Sequence, residues 1–137
     1  MKYLLDTNII SEAIKPSPDP VILNKLQQHR FDIAICSPVW HELLFGFYRL
    51  PASNKREKLE RYLYQVVHQL PILSYNVEAA EWFAQERAKL TRMGKMPPLI
   101  DGQIAAIAQT NHLILVTRNI SDFQYFSEIR IDNWFEH

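Results

Sequence analysis

Four carboxylates stand at points in this 137-residue chain where hydrolytic chemistry could use them: Asp6, Glu42, Asp101 and Asp122. Asp6 closes the apolar run Tyr3-Leu4-Leu5, and Glu42 lies about one helical turn beyond Ile33-Ala34-Ile35-Cys36. Asp101 opens a helical segment, and Asp122 follows the apolar run that ends at Thr117. Each alone has an ordinary explanation. An Asp after a strand caps a helix, a Glu inside a helix faces water, and an acid in a first turn complements the helix dipole. Four acids converging on one rim are a different matter, because they repel one another unless a cation lies among them. Hard oxygen donors of this kind select Mg²⁺ or Mn²⁺. Such ions orient and deprotonate water and neutralise a leaving oxygen, which is what phosphodiester cleavage requires, and no histidine is needed. Bound ions would also make an acidic pocket attractive to a polyanion.

The elements that must position these acids alternate in type. Short apolar runs at 3–5, 33–36, 71–75 and 113–117 read as buried strands, with a fifth at 129–131. Between them the spacing predicts helices from Asp6-Thr7-Asn8 to about Lys15, over 21–29, and from Ser37 to about Leu50. Further helices are expected over 55–70, from Asn76 to about Arg92 and over 99–111, followed by a short turn-helix in 118–126. Ser37-Pro38 reads as an N-cap and first-turn pair. The segments 37–50 and 55–70 read as a helical hairpin broken at Pro51-Ala52-Ser53-Asn54. Wholly apolar strands alternating with helices define an α/β class with a parallel sheet of four to five strands covered on both faces. Ligands of such sheets bind beyond the carboxyl ends of the strands, where the four acids fall. The tail from Asp132 to His137 reads as a short terminal addition.

Composition agrees with a single soluble globular domain spanning 1–137: 47% of residues are hydrophobic and 22% charged. No stretch without an Asp, Glu, Lys or Arg is longer than Gly102 to Thr117, which Tyr62 to Val77 equals, and it is interrupted by Gln103, Gln109, Thr110, Asn111 and His112, so no membrane span is expected. The start, Met1 to Leu5, runs straight into Asp6 without an apolar signal core, which points to a cytoplasmic protein. A lone Cys36 in apolar surroundings reads as a buried small hydrophobe. Net charge is zero, with 15 basic and 15 acidic residues, so there is no overall basic footprint. Locally, Arg87, Lys89, Arg92 and Lys95 form a basic patch. Arg87 and Lys89 suit a helix C-terminus, whereas Arg92 and Lys95, beside the loop that leads to Asp101, are candidates for holding the phosphates of a polyanion.

Four segments carry a family resemblance. They are Leu4-Leu5-Asp6-Thr7-Asn8-Ile9-Ile10, Ser37-Pro38-Val39-Trp40-His41-Glu42-Leu43, Pro97 to Ala108 around Asp101, and Thr117-Arg118-Asn119-Ile120-Ser121-Asp122-Phe123. In this order and spacing the chain resembles PIN-domain ribonucleases and, more narrowly, VapC-type toxins of bacterial toxin-antitoxin modules. The resemblance covers essentially the whole chain. It implies a three-layer α/β/α fold, endonucleolytic cleavage of structured RNA such as a tRNA, dependence on Mg²⁺ or Mn²⁺, homodimerisation, and inhibition by a VapB-like antitoxin. It also implies Asp6, Glu42, Asp101 and Asp122 as catalytic and metal-holding residues, with Asn8, Thr117 and Asn119 as polar support.

Rival motifs fail or stay weak. His41-Glu42-Leu43-Leu44-Phe45 starts like a helical zinc-protease motif but has Phe45 where the second histidine must stand. Gly94 and Gly102 make no phosphate-binding loop. Phe45, Phe47 and Tyr48 read as core or dimer surface before base-stacking platform. Phe47, Tyr48, Tyr62, Tyr64 and Val67 together give the hairpin more apolar faces than one sheet covers, which a homodimer would bury. The alternative function is a non-catalytic phospho-acceptor or binding module using Asp6 or Asp101. A lysine expected at the end of a late strand in such a module is replaced here by Thr117-Arg118.

Overall fold

The computed structural model describes residues 1–135. Five parallel strands form one sheet: β1 (Tyr3–Leu5), β2 (Ile33–Cys36), β3 (Ile72–Leu73), β4 (Ile114–Val116) and β5 (Ile131–Asp132). Their spatial order is β3-β2-β1-β4-β5, with Tyr3 opposite both Ile33 and Ile114. The helices are α1 (Thr7–Glu12), α2 (Pro20–Gln28), α3 (Ser37–Tyr48), α4 (Asn54–Gln65), α5 (Val77–Arg92) and α6 (Leu99–Thr110). Leu4 and Leu5 point to opposite faces of β1, yet neither exposes any surface. Both faces are therefore covered, giving the expected three layers with the sheet at its upper expected strand number.

This order places a topological switch point between β1 and β4. The chain leaves β1 toward β2 and β3, then returns to build β4 and β5 on the other side, so connections diverge and leave a crevice at the strands' carboxyl ends. The ends are bonded across that crevice, since the Asp6 amide donates to Val116 O at 2.9 Å.

Several elements differ in extent from the expectation, each for a visible reason. The N-cap of α3 is Cys36, not Ser37, because β2 passes directly into the helix with no intervening loop residue. The Ser37 hydroxyl instead accepts the Tyr75 amide at 3.2 Å, which draws the chain away from the ladder and leaves β3 two residues long. Helix α1 stops at Glu12, whose Oε2 accepts the Asp19 amide at 2.8 Å and closes the turn into α2. Helix α4 is capped by Ser53 and ends at Gln65; beyond Val66 a 3₁₀ turn, Val67–Gln69, carries Val67 into the core. The tail from Asp132 is part of the fold and not a terminal addition to it. Asp132 belongs to β5, and Trp134 is buried against Tyr3 and His29, with ring centroids 5.3 Å from each. The last two positions of that segment, 136 and 137, lie outside the described residues.

Helices α5 and α6 pack so closely that Gly102 leaves no room for a side chain: a Cβ there would lie 1.9 Å from Cζ of Phe83. Gly102→Ala is therefore expected to cost about 1–3 kcal/mol, the usual range for overpacking. A thermal melt followed by circular dichroism should show a fall of several degrees. An unchanged midpoint would contradict the contact.

Candidate active site

Asp6 is the N-cap of α1 and nearly buried, 7% exposed. Its Oδ1 accepts the Thr7 amide at 2.8 Å, while Oδ2 accepts the Thr117 hydroxyl at 2.8 Å and the Asn8 amide at 3.2 Å. Thr117, fully buried just past β4, also accepts the Asn119 backbone N–H at 3.0 Å. Asn8 in turn accepts the Arg118 amide at 3.1 Å. Asn8 and Thr117 thus touch Asp6 directly, whereas Asn119 contributes through its backbone. Burial pushes the Asp6 carboxyl above the ordinary aspartate value; the three donors hold part of that rise back, and Asp122 adds to it.

Asp101 lies in the first turn of α6, half-buried, and is pushed up to about 6 by burial and then by Asp6, Asp122 and Glu42. Asp101 therefore feels the other three acids across the crevice and Asp6 feels Asp122, the four being carried by the end of β1, α3, α6 and the 3₁₀ turn Ile120–Asp122. Glu42 lines a cavity of about 250 Å³ with Thr7, Ser11, Gly46 and Lys55. Asp122 is exposed.

The raised Asp101 value makes a prediction for the metal-free protein. A carboxyl raised in the folded state favours the protonated form there, so its stabilising contribution is full below about 4 and is lost as pH rises through about 6. The difference in melting temperature between Asp101→Asn and the parent should therefore widen in favour of the variant across that window. A constant difference would show that Asp101 does not feel its neighbours.

The donor set fits a hard divalent ion. Among the described residues, Glu42, Asp101 and Asp122 accept no protein hydrogen bond. Among the described residues, no three Asp, Glu, His or Cys side chains stand close enough together, as they lie, to hold a metal ion between them. That openness suits Mg²⁺, which keeps several waters and takes only one or two carboxylates at once.

Of the basic patch, Lys89 is committed elsewhere: it bonds to the Ser127 hydroxyl and pairs with buried Glu86 at 3.2 Å, while Glu86 also accepts the Ser127 amide at 2.7 Å. These contacts pin the chain just after Asp122. Arg92, in the last turn of α5, and Lys95, in the following loop, are both exposed. The Lys95 ammonium lies 5.3 Å from the centre of the Tyr125 ring, and burial together with Asp101 and Asp122 raises the Tyr125 phenol. Tyr125 is thus a neighbour of the acids that the sequence reading missed, because it belongs to no motif and reaches the site only through the turn after Asp122.

The hairpin's apolar residues divide. Phe47 and Val67 are buried and unavailable to a partner, contrary to the expectation, and Tyr62 is half-buried with its hydroxyl on Ile10 O at 2.8 Å. Phe45, Tyr48, Tyr64 and Val66 are exposed. Cys36 is buried as expected, and burial raises its thiol to about 12.

Fold and acids together match a known family: the model described as the PIN domain covers residues 3–128. Ribonuclease VapC2 of Haemophilus influenzae is 33% identical over 98% of both chains. The tRNA(fMet)-specific endonuclease VapC of Shigella flexneri is 31% identical, again over 98% of both. Among solved structures, DNA-bound VapBC from Salmonella typhimurium superposes with a TM-score of 0.86 at 30% identity over 98% of both chains. The chain belongs to the PIN-domain family and, within it, to the VapC ribonucleases.

Proposed function

We propose that the protein is a divalent-metal-dependent endoribonuclease, the toxin of a toxin-antitoxin pair, acting as one domain in the cytoplasm on tRNA or another structured RNA. The observation that carries this reading is the gathering of Asp6, Glu42, Asp101 and Asp122 at the switch point, with Asp101 raised by burial and then by the other three. These four would hold Mg²⁺ or Mn²⁺, which when bound supplies an activated water and neutralises the leaving oxygen. Thr117 and Asn8 fix the orientation of the Asp6 carboxylate, and the Glu86–Lys89–Ser127 contacts steady the turn that presents Asp122. None of the described helices is long and apolar enough to cross a membrane, in keeping with the proposed compartment.

Two kinds of partner follow from the relatives. The Salmonella structure is a VapBC complex bound to DNA, and a VapB-like antitoxin is proposed as the inhibitor here. A homodimer would cover Tyr48, Tyr64 and Val66, which stand exposed on the α3–α4 hairpin. The phospho-acceptor alternative gains nothing from the geometry, since the Arg118 guanidinium after β4 lies 3.8 Å from the centre of the Phe135 ring.

Arg92 and Lys95 are proposed to hold RNA phosphates beside the acids. Arg92→Ala with Lys95→Ala should weaken binding to all RNAs about equally and flatten the log-log salt dependence by roughly 1–2 units, with cleavage positions unchanged. A parental affinity and slope would remove both residues from the interface. The function itself is tested by brief induction in cells and mapping of RNA 5′ ends. New ends at defined positions are expected with the parent protein and not with Asp6→Asn, and identical maps would overturn the reading.

A further inference from the structure

Tyr125 stands three residues beyond Asp122 on a stretch of chain that is fixed on both sides. Phe123 and Phe126 are buried, the Phe126 ring lies 6.0 Å from that of Trp82, and the Ser127 amide donates to Glu86 at 2.7 Å. Tyr125 itself is half-buried. Its ring lies 5.0 Å from the Phe126 ring at 38°, and the Lys95 ammonium stands 5.3 Å from its centroid. Lys95 is placed as firmly, since its amide donates to Leu90 O at 2.8 Å and Gly94 before it takes the φ of 77° that ends α5. The phenol lies within electrostatic reach of Asp101 and Asp122. Among the described residues its hydroxyl has no hydrogen-bond partner in the protein, unlike that of Tyr62, which is committed to Ile10 O.

We propose that the Tyr125 hydroxyl donates to a phosphate oxygen of the bound RNA strand, the same phosphate that the Lys95 ammonium pairs with. The inference rests on the ribonuclease reading and adds to it a substrate contact outside the four acids. A phosphate offers acceptors only, and the two groups that meet here are donors: an ammonium, and a phenol that keeps its proton at neutral pH. Lys95 favours a phosphate over a ribose or a base edge, because its charge is compensated only by the anion. No acid in its own loop offsets it, since from Leu90 to Ile100 the chain carries Arg92 and Lys95 and neither Asp nor Glu. Asp101 and Asp122, the nearby acids, are the oxygens that a bound cation would engage, which leaves the hydroxyl to the substrate.

The test takes an RNA that the 5′-end mapping shows to be cut, transcribed in vitro and end-labelled, and assays it with excess full-length protein in Mn²⁺ under single-turnover conditions. Tyr125→Phe removes the hydroxyl and keeps the ring beside Phe126 and Lys95. It should raise the protein concentration for half-maximal rate about tenfold and change the rate at saturation by no more than about threefold. The melting temperature and its rise in Mn²⁺ should stay as in the parent. Lys95→Ala should also raise the half-maximal concentration, and the double variant should lose less than the two single losses multiplied, because both groups act on one phosphate. A parental half-maximal concentration in Tyr125→Phe overturns the contact. So does a fall in the saturated rate together with loss of the Mn²⁺ rise, since the hydroxyl then serves the acids and not the RNA, and so do fully multiplicative losses in the double variant. If the parent cleaves RNA and Tyr125→Phe matches it, the contact alone falls; if the mapping finds no cut RNA, the ribonuclease reading falls and takes the contact with it.

Discussion

Asp6→Asn is expected to lower RNA cleavage by at least about 10²-fold while leaving the fold intact, a scale typical of a positioned catalytic group. The substitution keeps the shape of the side chain and one oxygen for the Thr7 amide, so the cap of α1 survives. The Thr117 hydroxyl can rotate to accept from the new amide. What disappears is a charge in a nearly buried position that burial and Asp122 both disfavour. The metal-free variant should therefore melt at or above the parent temperature. Activity assays paired with thermal melts separate the two effects, and a variant that loses activity by melting far below the parent would contradict the assignment. Asp122→Asn should lose less, because Asp122 is exposed on a short turn with Asn119 beside it.

The second large effect is a divalent-ion dependence of stability. In the metal-free protein burial, and then Asp6, Asp122 and Glu42, raise the cost of ionising Asp101. An ion that binds only the folded state adds RT ln(1 + [L]/Kd), about 2.7 kcal/mol at a hundredfold excess over Kd. Mg²⁺ or Mn²⁺ should raise the melting temperature by several degrees, and EDTA should abolish the rise. A monovalent salt at matched ionic strength should not reproduce it. In Asp101→Asn the increment should shrink, because a donor and a charge are gone together. A melting temperature indifferent to divalent ions would mean that the acids are held apart by water and do not share a cation.

The acids were legible in the sequence because each follows a feature that fixes its place. Asp6 ends a run of residues that cannot face water, and Asp101 opens a helix rich in Ile and Ala that must be buried. Once a parallel sheet is inferred, the carboxyl ends of its strands are a small region, and polar residues there have few places to go. Details that depend on which groups meet across the fold were not legible. Ser37 has the chemistry of a cap, but its hydroxyl serves Tyr75, a partner 38 residues away. No periodicity surrounds Trp134, so nothing local marks it as core, yet it fills the space beside Tyr3 and His29. Lys89 resembled its basic neighbours until Glu86 and Ser127 claimed it. Tyr125 nears the acids through packing alone, which local sequence does not record.

If the four carboxylates cleave RNA by holding a divalent ion, as proposed, end-group analysis of a purified RNA incubated with the protein will show it. Wild-type protein in Mn²⁺ should produce discrete internal cuts that vanish after EDTA, return on adding back Mg²⁺ or Mn²⁺, and stay absent in Asp6→Asn at the same metal concentration. Cuts of undiminished rate after rigorous chelation, or in Asp6→Asn, would contradict it.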